Sequence, residues 1–162
     1  MISRRQEWRG HGFLAGVLDG LDAVVFFGLT MGATAVRIFQ YIAAGLIGPV
    51  SYQGGWRTVA LGVLLHFTVA TGSATVYYLA SLELPGLVRK PLTFGPIFGL
   101  VVYIVMSYVI VPQSAVPKTT RPFSALELAN ELVAHMFFVG LPIALAAKWA
   151  DRRNEDVPSS HI

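Results

Sequence analysis

The chain has 162 residues, of which 54% are hydrophobic and only 13% are charged. Because a soluble domain carries roughly 25% charged residues, this composition indicates an integral membrane protein. The chain contains no cysteine, which excludes disulfides, thiolate metal sites and iron–sulfur clusters. The net charge is +3, and the basic residues lie near the ends of the apolar segments, as in membrane topology and unlike a nucleic-acid-binding surface.

Four apolar segments reach the length of roughly 20 residues that a helix needs to cross the hydrocarbon of a bilayer. They are residues 13–36, 58–82, 92–111 and 125–148. We predict an all-α fold, a four-transmembrane-helix bundle, and one membrane domain over residues 1–162. The spans leave no room for a soluble catalytic domain, and the polar residues 151–162 are predicted to form a tail.

The first predicted span carries a row of glycines. Gly12, Gly16 and Gly20 repeat every four residues, and the same row continues with Gly28 and Gly32. Small residues at this spacing let a neighbouring helix approach closely in lipid, where helix association depends on packing. The row therefore predicts a helix-packing face.

Asp19 and Asp22 lie within the same span. Asp22 comes about ten residues into the helix, roughly 15 Å from its start and thus near the membrane midplane. Lipid cannot solvate a carboxylate at that depth. We therefore expect both side chains to face protein, water or a ligand.

Residues 38–48 are too short to span a membrane. The apolar residues of this segment share one helical face and are Ile38, Tyr41, Ile42, Gly45 and Leu46. This pattern predicts a short interfacial or re-entrant helix between spans one and two, ended by Gly48 and Pro49.

His66 is the strongly ionisable residue of the second span, whereas the third span has no charge. Gly95 and Gly99 form a GxxxG pair in the third span. We predict that this pair also packs closely against another helix.

The fourth span begins with a capping-box pattern, Ser124 followed by Glu127. Glu131 and His135 follow Glu127 at steps of four residues, so a helix places the three side chains along one face. Asn130 lies beside them. The first half of this span is therefore polar although its length suits a membrane crossing.

Spans two and four start on the same side of the membrane. His66 and His135 lie about nine and eleven residues into them, and Asp22 reaches a similar depth from the opposite side. Glu131 is then one turn further out and Asp19 one turn further in. The predicted group, here called the polar cluster, comprises Asp19, Asp22, His66, Asn130, Glu131 and His135.

Four interpretations of the polar cluster remain open. The cluster can be a buried hydrogen-bonded network that fixes helix pairing, or a proton or ion path in a transport subunit. His66 and His135 could instead be the ligands of haem b or of a divalent metal. An intramembrane enzyme is the fourth interpretation, but the chain has no H-E-x-x-H or G-x-S-x-G motif.

We expect the first interpretation: a membrane protein without a cofactor and without independent catalysis. Such a protein acts through packing, through a membrane-protein partner or through a second copy of itself. The proton- or ion-coupled subunit is the principal alternative.

Basic residues predict the orientation. The termini and the loop between spans two and three share one side, which holds Arg4, Arg5, Arg9, Arg89, Lys90, Lys148, Arg152 and Arg153. The other side holds Arg37, Arg57, Lys118 and Arg121. The excess on the first side predicts that both termini are cytoplasmic.

Several short motifs are distributed over most of residues 12–147. They are Arg37-Ile38-Phe39-Gln40 through Gly48, Gly54-Gly55, Leu61-Gly62 with His66-Phe67, Val111-Pro112, and His135 through Gly140-Leu141-Pro142-Ile143-Ala144. In these motifs the chain resembles a group of small four-span bacterial inner-membrane proteins and is similar to the YagU-type family. The resemblance implies a bacterial inner-membrane location and no site residues.

Overall fold

The computed structural model describes residues 4–118 and 124–155, with side chains described for 12–118 and 124–151. Regular structure in these ranges is entirely helical. The helices are α1 (Arg4–Met31), α2 (Ala35–Ile47), α3 (Gly55–Glu83), α4 (Gly86–Arg89), α5 (Pro91–Val105, a π-helical segment Met106–Ile110 and Val111–Gln113) and α6 (Ala125–Val133, a π-helical segment Ala134–Gly140 and Leu141–Glu155). A 3₁₀ helix, Gly48–Gln53, joins α2 to α3.

Four of these helices contain stretches that are long and apolar enough to cross a membrane. The stretches are Gly12–Met31 in α1, Gly55–Glu83 in α3, Pro91–Gln113 in α5 and Ala125–Asp151 in α6. The predicted all-α fold with four long apolar helices is thereby confirmed.

The predicted boundary between the first span and the short helix is wrong by several residues. Helix α1 ends at Met31 rather than at residue 36, because Gly32 has a φ of 66°, a conformation that ends helices and that glycine adopts without steric cost. Thr34 then caps α2 by accepting a hydrogen bond of 3.2 Å from the backbone N–H of Arg37. The short helix therefore begins at Ala35 rather than at residue 38.

The predicted capping box of the fourth span is confirmed. The Ser124 hydroxyl accepts a 3.2 Å hydrogen bond from the Glu127 N–H, and the Glu127 carboxylate accepts one of 2.7 Å from the Ser124 N–H. At its other end α6 continues to Glu155, past the predicted end at 148 and into the predicted tail. Residues 156–162 of that tail lie outside the described residues.

The helices follow one another in space in an order that differs from the chain order. Helix α1 packs against both α3 and α6, and α5 packs along α6. Helix α2 packs on α3, and the N–H of Ala115 donates a 2.9 Å hydrogen bond to the Gly45 carbonyl. The end of the bundle that carries α2 and residues 114–118 is called the loop side, and the opposite end is called the α4 side.

Glycines bring α1 and α3 into close contact. A Cβ atom added at Gly12 would lie 2.8 Å from Cα of Thr71, and one added at Gly16 would lie 2.9 Å from the ring of Phe67. Gly20 faces His66. The contact row ends there: Gly28 meets the nearby Ala33 carbonyl only, and Gly32 serves as the helix terminator. Within the described residues, Gly28 and Gly32 therefore take no part in the contact between α1 and α3, and their packing role stays a prediction.

Helices α5 and α6 meet backbone to backbone. Gly99 lies against the carbonyl of His135, and Gly140 lies against the carbonyl of Gly95. A side chain at any of these glycines would enter the neighbouring backbone. Such close approach is the usual way in which small residues hold helices together in lipid.

The sequence analysis did not predict the two π-helical segments. Each ends two residues before a proline: Ile110 precedes Pro112, and Gly140 precedes Pro142. Proline lacks the N–H donor and crowds the carbonyl four residues earlier. The preceding turn therefore widens, which is a recognised cause of local helix distortion.

The apolar core lies in the α4-side half of the bundle. Its buried members are Ala15, Ala74, Tyr77, Val88, Val139, Ile143, Ala144 and Ala147. The Tyr77 hydroxyl donates a 3.0 Å hydrogen bond to the Leu87 carbonyl, and its ring packs edge-on against Phe98 at 4.9 Å between centroids. Here α1, α3, α4 and α6 are joined mostly by small and aliphatic side chains.

Candidate functional site

A side-chain hydrogen bond joins α1 and α6 in the loop-side half. The amide Nδ2 of Asn130 donates to Oδ2 of Asp22 at 2.9 Å. The two residues are 108 positions apart in sequence, so the bond is a tertiary contact between two of the long apolar helices. Helix α1 carries the acceptor and α6 the donor.

His66 ties α3 to α1. Its Nε2 lies 2.8 Å from the backbone carbonyl oxygen of Gly16. Because a carbonyl can only accept, Nε2 must carry the hydrogen, and in the neutral ring Nδ1 holds the lone pair. The rings of Phe39 and Phe67 flank the imidazole edge-on at 6.2 and 5.4 Å.

His135 bonds within its own helix at the start of the π-helical segment. Its Nδ1 lies 2.9 Å from the Glu131 carbonyl oxygen and 3.7 Å from Oε2 of the same residue. The same reasoning gives a protonated Nδ1 and, in the neutral ring, a lone pair on Nε2. The imidazole also packs edge-on against Tyr103 of α5, at 5.5 Å between centroids.

Asp19 links the two histidines electrostatically. Its carboxylate interacts with His135, His66 and Asp22. Glu131 in turn interacts with His135, Asp19 and Asp22. The structure thus brings all six residues of the polar cluster into one continuous group between α1, α3 and α6.

Titratable residues of α2 and the 3₁₀ helix continue from the cluster toward the loop side, which the sequence analysis had not predicted. Burial raises the pKa of the Tyr41 phenol in α2, and the neighbouring Tyr52 and Glu131 raise it further. The Arg37 guanidinium lies 3.8 Å from the centre of the Tyr52 ring. The sequence pattern assigned Tyr41 to an apolar helix face, and only the packing of α2 on α3 brings it toward Glu131.

The members of the polar cluster are only partly buried. The side chains of His135 and Glu131 retain 15% and 27% of their accessible surface, and Asp19, Asp22, His66 and Asn130 are also half-buried. At this depth an ionisable group that faces lipid is strongly disfavoured. Water or protein must therefore cover the accessible part of the cluster.

A second polar group holds α2 and the 3₁₀ helix on α3. The Thr58 hydroxyl donates a 2.7 Å hydrogen bond to the Ser51 carbonyl, and the Gln40 amide lies 3.4 Å from the Thr58 oxygen. All three residues are buried, and the Ser51 hydroxyl has no hydrogen-bond partner within the described part of the chain. This group is separate from the polar cluster.

The geometry limits how the histidines could serve as ligands. In each histidine, one ring nitrogen is hydrogen-bonded to a backbone carbonyl. The nitrogens that remain for coordinating a metal or haem are Nδ1 of His66 and Nε2 of His135. Within residues 12–118 and 124–151, no three histidine, aspartate or glutamate side chains are grouped as a metal site would require. The alternative of haem b or a divalent metal at His66 and His135 stays untested.

No family model, curated protein or solved structure matches this chain. The resemblance to the YagU-type family therefore stays a prediction.

Proposed function

We propose that this protein is a small multipass membrane protein whose polar cluster fixes the pairing of α1, α3 and α6. In this proposal the protein acts by binding a membrane-protein partner or a second copy of itself, and not through catalysis of its own. The observation that carries this proposal is the hydrogen bond between Asp22 and Asn130. It joins two helices that are long and apolar enough to cross a membrane, and it does so through polar side chains that lipid would not solvate.

The His66 bond to Gly16 complements this contact. Helix α1 is thereby held on one side by α3 and on the other by α6. Interhelical hydrogen bonds in membranes contribute about 0.6 kcal/mol on average and up to about 2 kcal/mol. Such bonds also disfavour other helix pairings, because a polar group left without a partner in an apolar environment costs more than the bond itself contributes.

The partial burial of the polar cluster supports the proposal that a partner protein binds there. Four long apolar helices present a surface suited to lipid, yet the cluster keeps part of its surface accessible. A protein that covers this part would remove the unfavourable contact with lipid. The same surface would then specify which membrane protein binds.

A double-mutant cycle tests the pairing. We expect Asp22→Ala and Asn130→Ala each to lower the free energy of unfolding in detergent, and the double variant to lose less than the sum, because both remove one bond. Leu128→Ala, an exposed position on the same helix, is the matched control and should change little. Additive losses would exclude a stabilising bond between the two side chains. Cross-linking in native membranes then tests for the partner or second copy.

A second candidate function is that of a proton- or ion-coupled transport subunit. The electrostatic interaction of Asp19 with both His66 and His135 favours it, because intramembrane carboxylates with histidines are the usual proton-relay groups. We expect Asp19→Asn to alter proton uptake by the purified protein after a jump from mildly alkaline to mildly acidic pH. Uptake identical to that of the wild type would remove Asp19 from this function.

We further propose a bacterial inner-membrane location with both termini cytoplasmic, on the basis of the basic residues at segment ends and the resemblance described above. The loop side would then face the periplasm. Reporter fusions at the C-terminus and after Gln53 should report opposite compartments. The reverse assignment would contradict the orientation.

A further inference from the structure

The ionisable residues are distributed unequally along the bundle. On the loop side of the polar cluster, Glu127 interacts with Glu131, and Tyr41 and Tyr52 extend the series toward Arg37. On the α4 side the cluster is followed by the apolar core. Among the described residues, the titratable groups that interact with the polar cluster from outside it therefore lie toward the loop side.

The core closes the α4 side tightly. Ala15 and Ala144 have no accessible surface, and Ile143 and Tyr77 have almost none. Beside them, Gly12 lets α1 approach the α3 backbone at Thr71 so closely that a methyl group would not fit. Water is not expected in such a region, because it is apolar and offers no cavity with several polar partners.

In the loop-side half Ala43, Ala44 and Ser51 have no accessible surface and Glu127 is buried, with 3% of its surface accessible, but the polar residues beside the cluster keep accessible surface. Tyr41 is exposed, Asn130 and Asp22 are half-buried, and Glu131 keeps about a quarter of its side-chain surface. Helix α3 packs against the Leu141–Glu155 segment of α6, which belongs to the α4-side half. The three helices thus converge at the core and carry their accessible polar side chains on the other side of it.

We propose that water and protons reach Asp19 from the loop side only, through a polar vestibule that ends blindly at the apolar core. The proposal rests on the second candidate function and specifies its substrate and its direction of access. In the transfer, a hydronium ion on the loop side donates a proton to a carboxylate oxygen of Glu131, Asp22 or Asp19. One O–H bond of the hydronium ion breaks, the O–H bond of the carboxylic acid forms, and water remains. Release reverses the same step.

In their neutral forms the two histidines add acceptors to this route. The lone pairs on Nδ1 of His66 and on Nε2 of His135 are free of backbone bonds. The titratable and charged groups around the route are Asp19, Asp22, Tyr41, Tyr52, His66, Tyr103, Glu127, Glu131, His135 and Arg37. A blind vestibule allows the cluster to exchange protons with one compartment without leaking them across the membrane.

The absence of cysteine from the chain makes the test direct. Single cysteines are introduced at Asn130 in the vestibule and at Ala74 in the core, with Gln53→Cys and Glu83→Cys as exposed markers of the two sides. The variants are reconstituted in oriented vesicles and treated with a charged, membrane-impermeant thiol reagent on either side. We expect the cysteine at position 130 to react only from the side on which position 53 reacts, and that at position 74 to react from neither.

Three results would overturn the vestibule: labelling of position 130 from the side of position 83, labelling of position 74, or no labelling of position 130 from either side. Glu131→Cys replaces Asn130→Cys if the latter does not elute as a single species. The two proposals fail in different ways. If position 130 is labelled from one side and Asp19→Asn takes up protons like the wild type, the vestibule stands and the relay role of Asp19 is excluded. If position 130 is labelled from both sides and proton uptake by Asp19→Asn is altered, the relay role stands and the one-sided vestibule is excluded.

Discussion

In the α4-side half of the bundle, α1, α3 and α6 meet mainly through alanines, glycines and Ile143, which contribute no polar side chains to the contact. In the loop-side half the same helices meet through the side chains of Asp22, Asn130 and His66, with part of their surface accessible. The first half depends on shape and the second on hydrogen bonds. In lipid, close packing and interhelical hydrogen bonds are the main sources of helix association, because the apolar surroundings provide no hydrophobic driving force.

This difference between the two halves suggests that the α4-side half mainly stabilises the bundle, whereas the loop-side half mainly specifies which helices pair. Close packing is strong but tolerates several similar arrangements of small residues, whereas a buried polar pair is satisfied in one arrangement only. We therefore expect substitutions in the α4-side half to have the larger effects on stability. Substitutions in the loop-side half should have smaller effects on stability and larger effects on function.

The largest expected effect is that of Gly95→Leu. A Cβ at Gly95 would already lie 2.9 Å from Cα of Leu141 and 3.0 Å from Cβ of Ala144, so a leucine forces α5 and α6 apart. We expect loss of the single monodisperse species in detergent chromatography. Gly72→Leu is the matched control, because a Cβ at Gly72 meets nothing within 4 Å. Normal behaviour of Gly95→Leu would show that α5 is not held by this contact.

The next effect is that of Ile143→Ala, which removes a side chain with 2% of its surface accessible. Large-to-small changes in a packed core cost about 2–5 kcal/mol, and we expect the lower end because lipid competes for the same apolar surface. Thermal unfolding in detergent measures the loss. Leu145→Ala, on the same helix but 44% exposed, should lose much less, and equal losses would contradict the assignment of the core.

His66→Ala tests the loop-side half. Its bond to Gly16 is lost and a void is left between Phe39 and Phe67, so we expect a loss of about 1–2 kcal/mol. His66→Gln keeps an N–H donor of similar reach and should recover part of the loss. If the alanine and glutamine variants unfold at the same temperature, the bond to the carbonyl contributes nothing.

Some parts of this architecture were predictable from the sequence because they depend on local patterns. Four apolar stretches of membrane length and the Ser124–Glu127 capping box need only neighbouring residues to be recognised. Counting residues along helices predicted a common depth for Asp22, His66 and His135, but Asp22 lies at the level of Asn130, more than one turn before His135. Their contacts could not be predicted in this way, because helix rotation is set by packing: Asp22 pairs with Asn130, and His66 pairs with a backbone carbonyl.

The π-helical segments and the end of α1 show what was missed. Pro112 and Pro142 carried a usable signal, since a proline inside a span disturbs the turn before it. Gly32 was assigned to a packing row by its spacing, although a glycine followed within two residues by a Thr34 cap also fits a helix end. The approach of Tyr41 to Glu131 depends on the tertiary position of α2 and had no local signal.

The smallest effect we predict belongs to a polar contact inside the apolar half. Tyr77→Phe removes the hydroxyl that donates to the Leu87 carbonyl but keeps the ring against Phe98. A single hydrogen bond of this kind contributes about 0.5–1.5 kcal/mol, so thermal unfolding should shift slightly downward. Tyr108→Phe, at a ring that is 71% exposed, should not shift it. A loss from Tyr77→Phe as large as that from Ile143→Ala would mean that the α4 side, too, is held by polar pairing, and the contrast between the two halves would disappear.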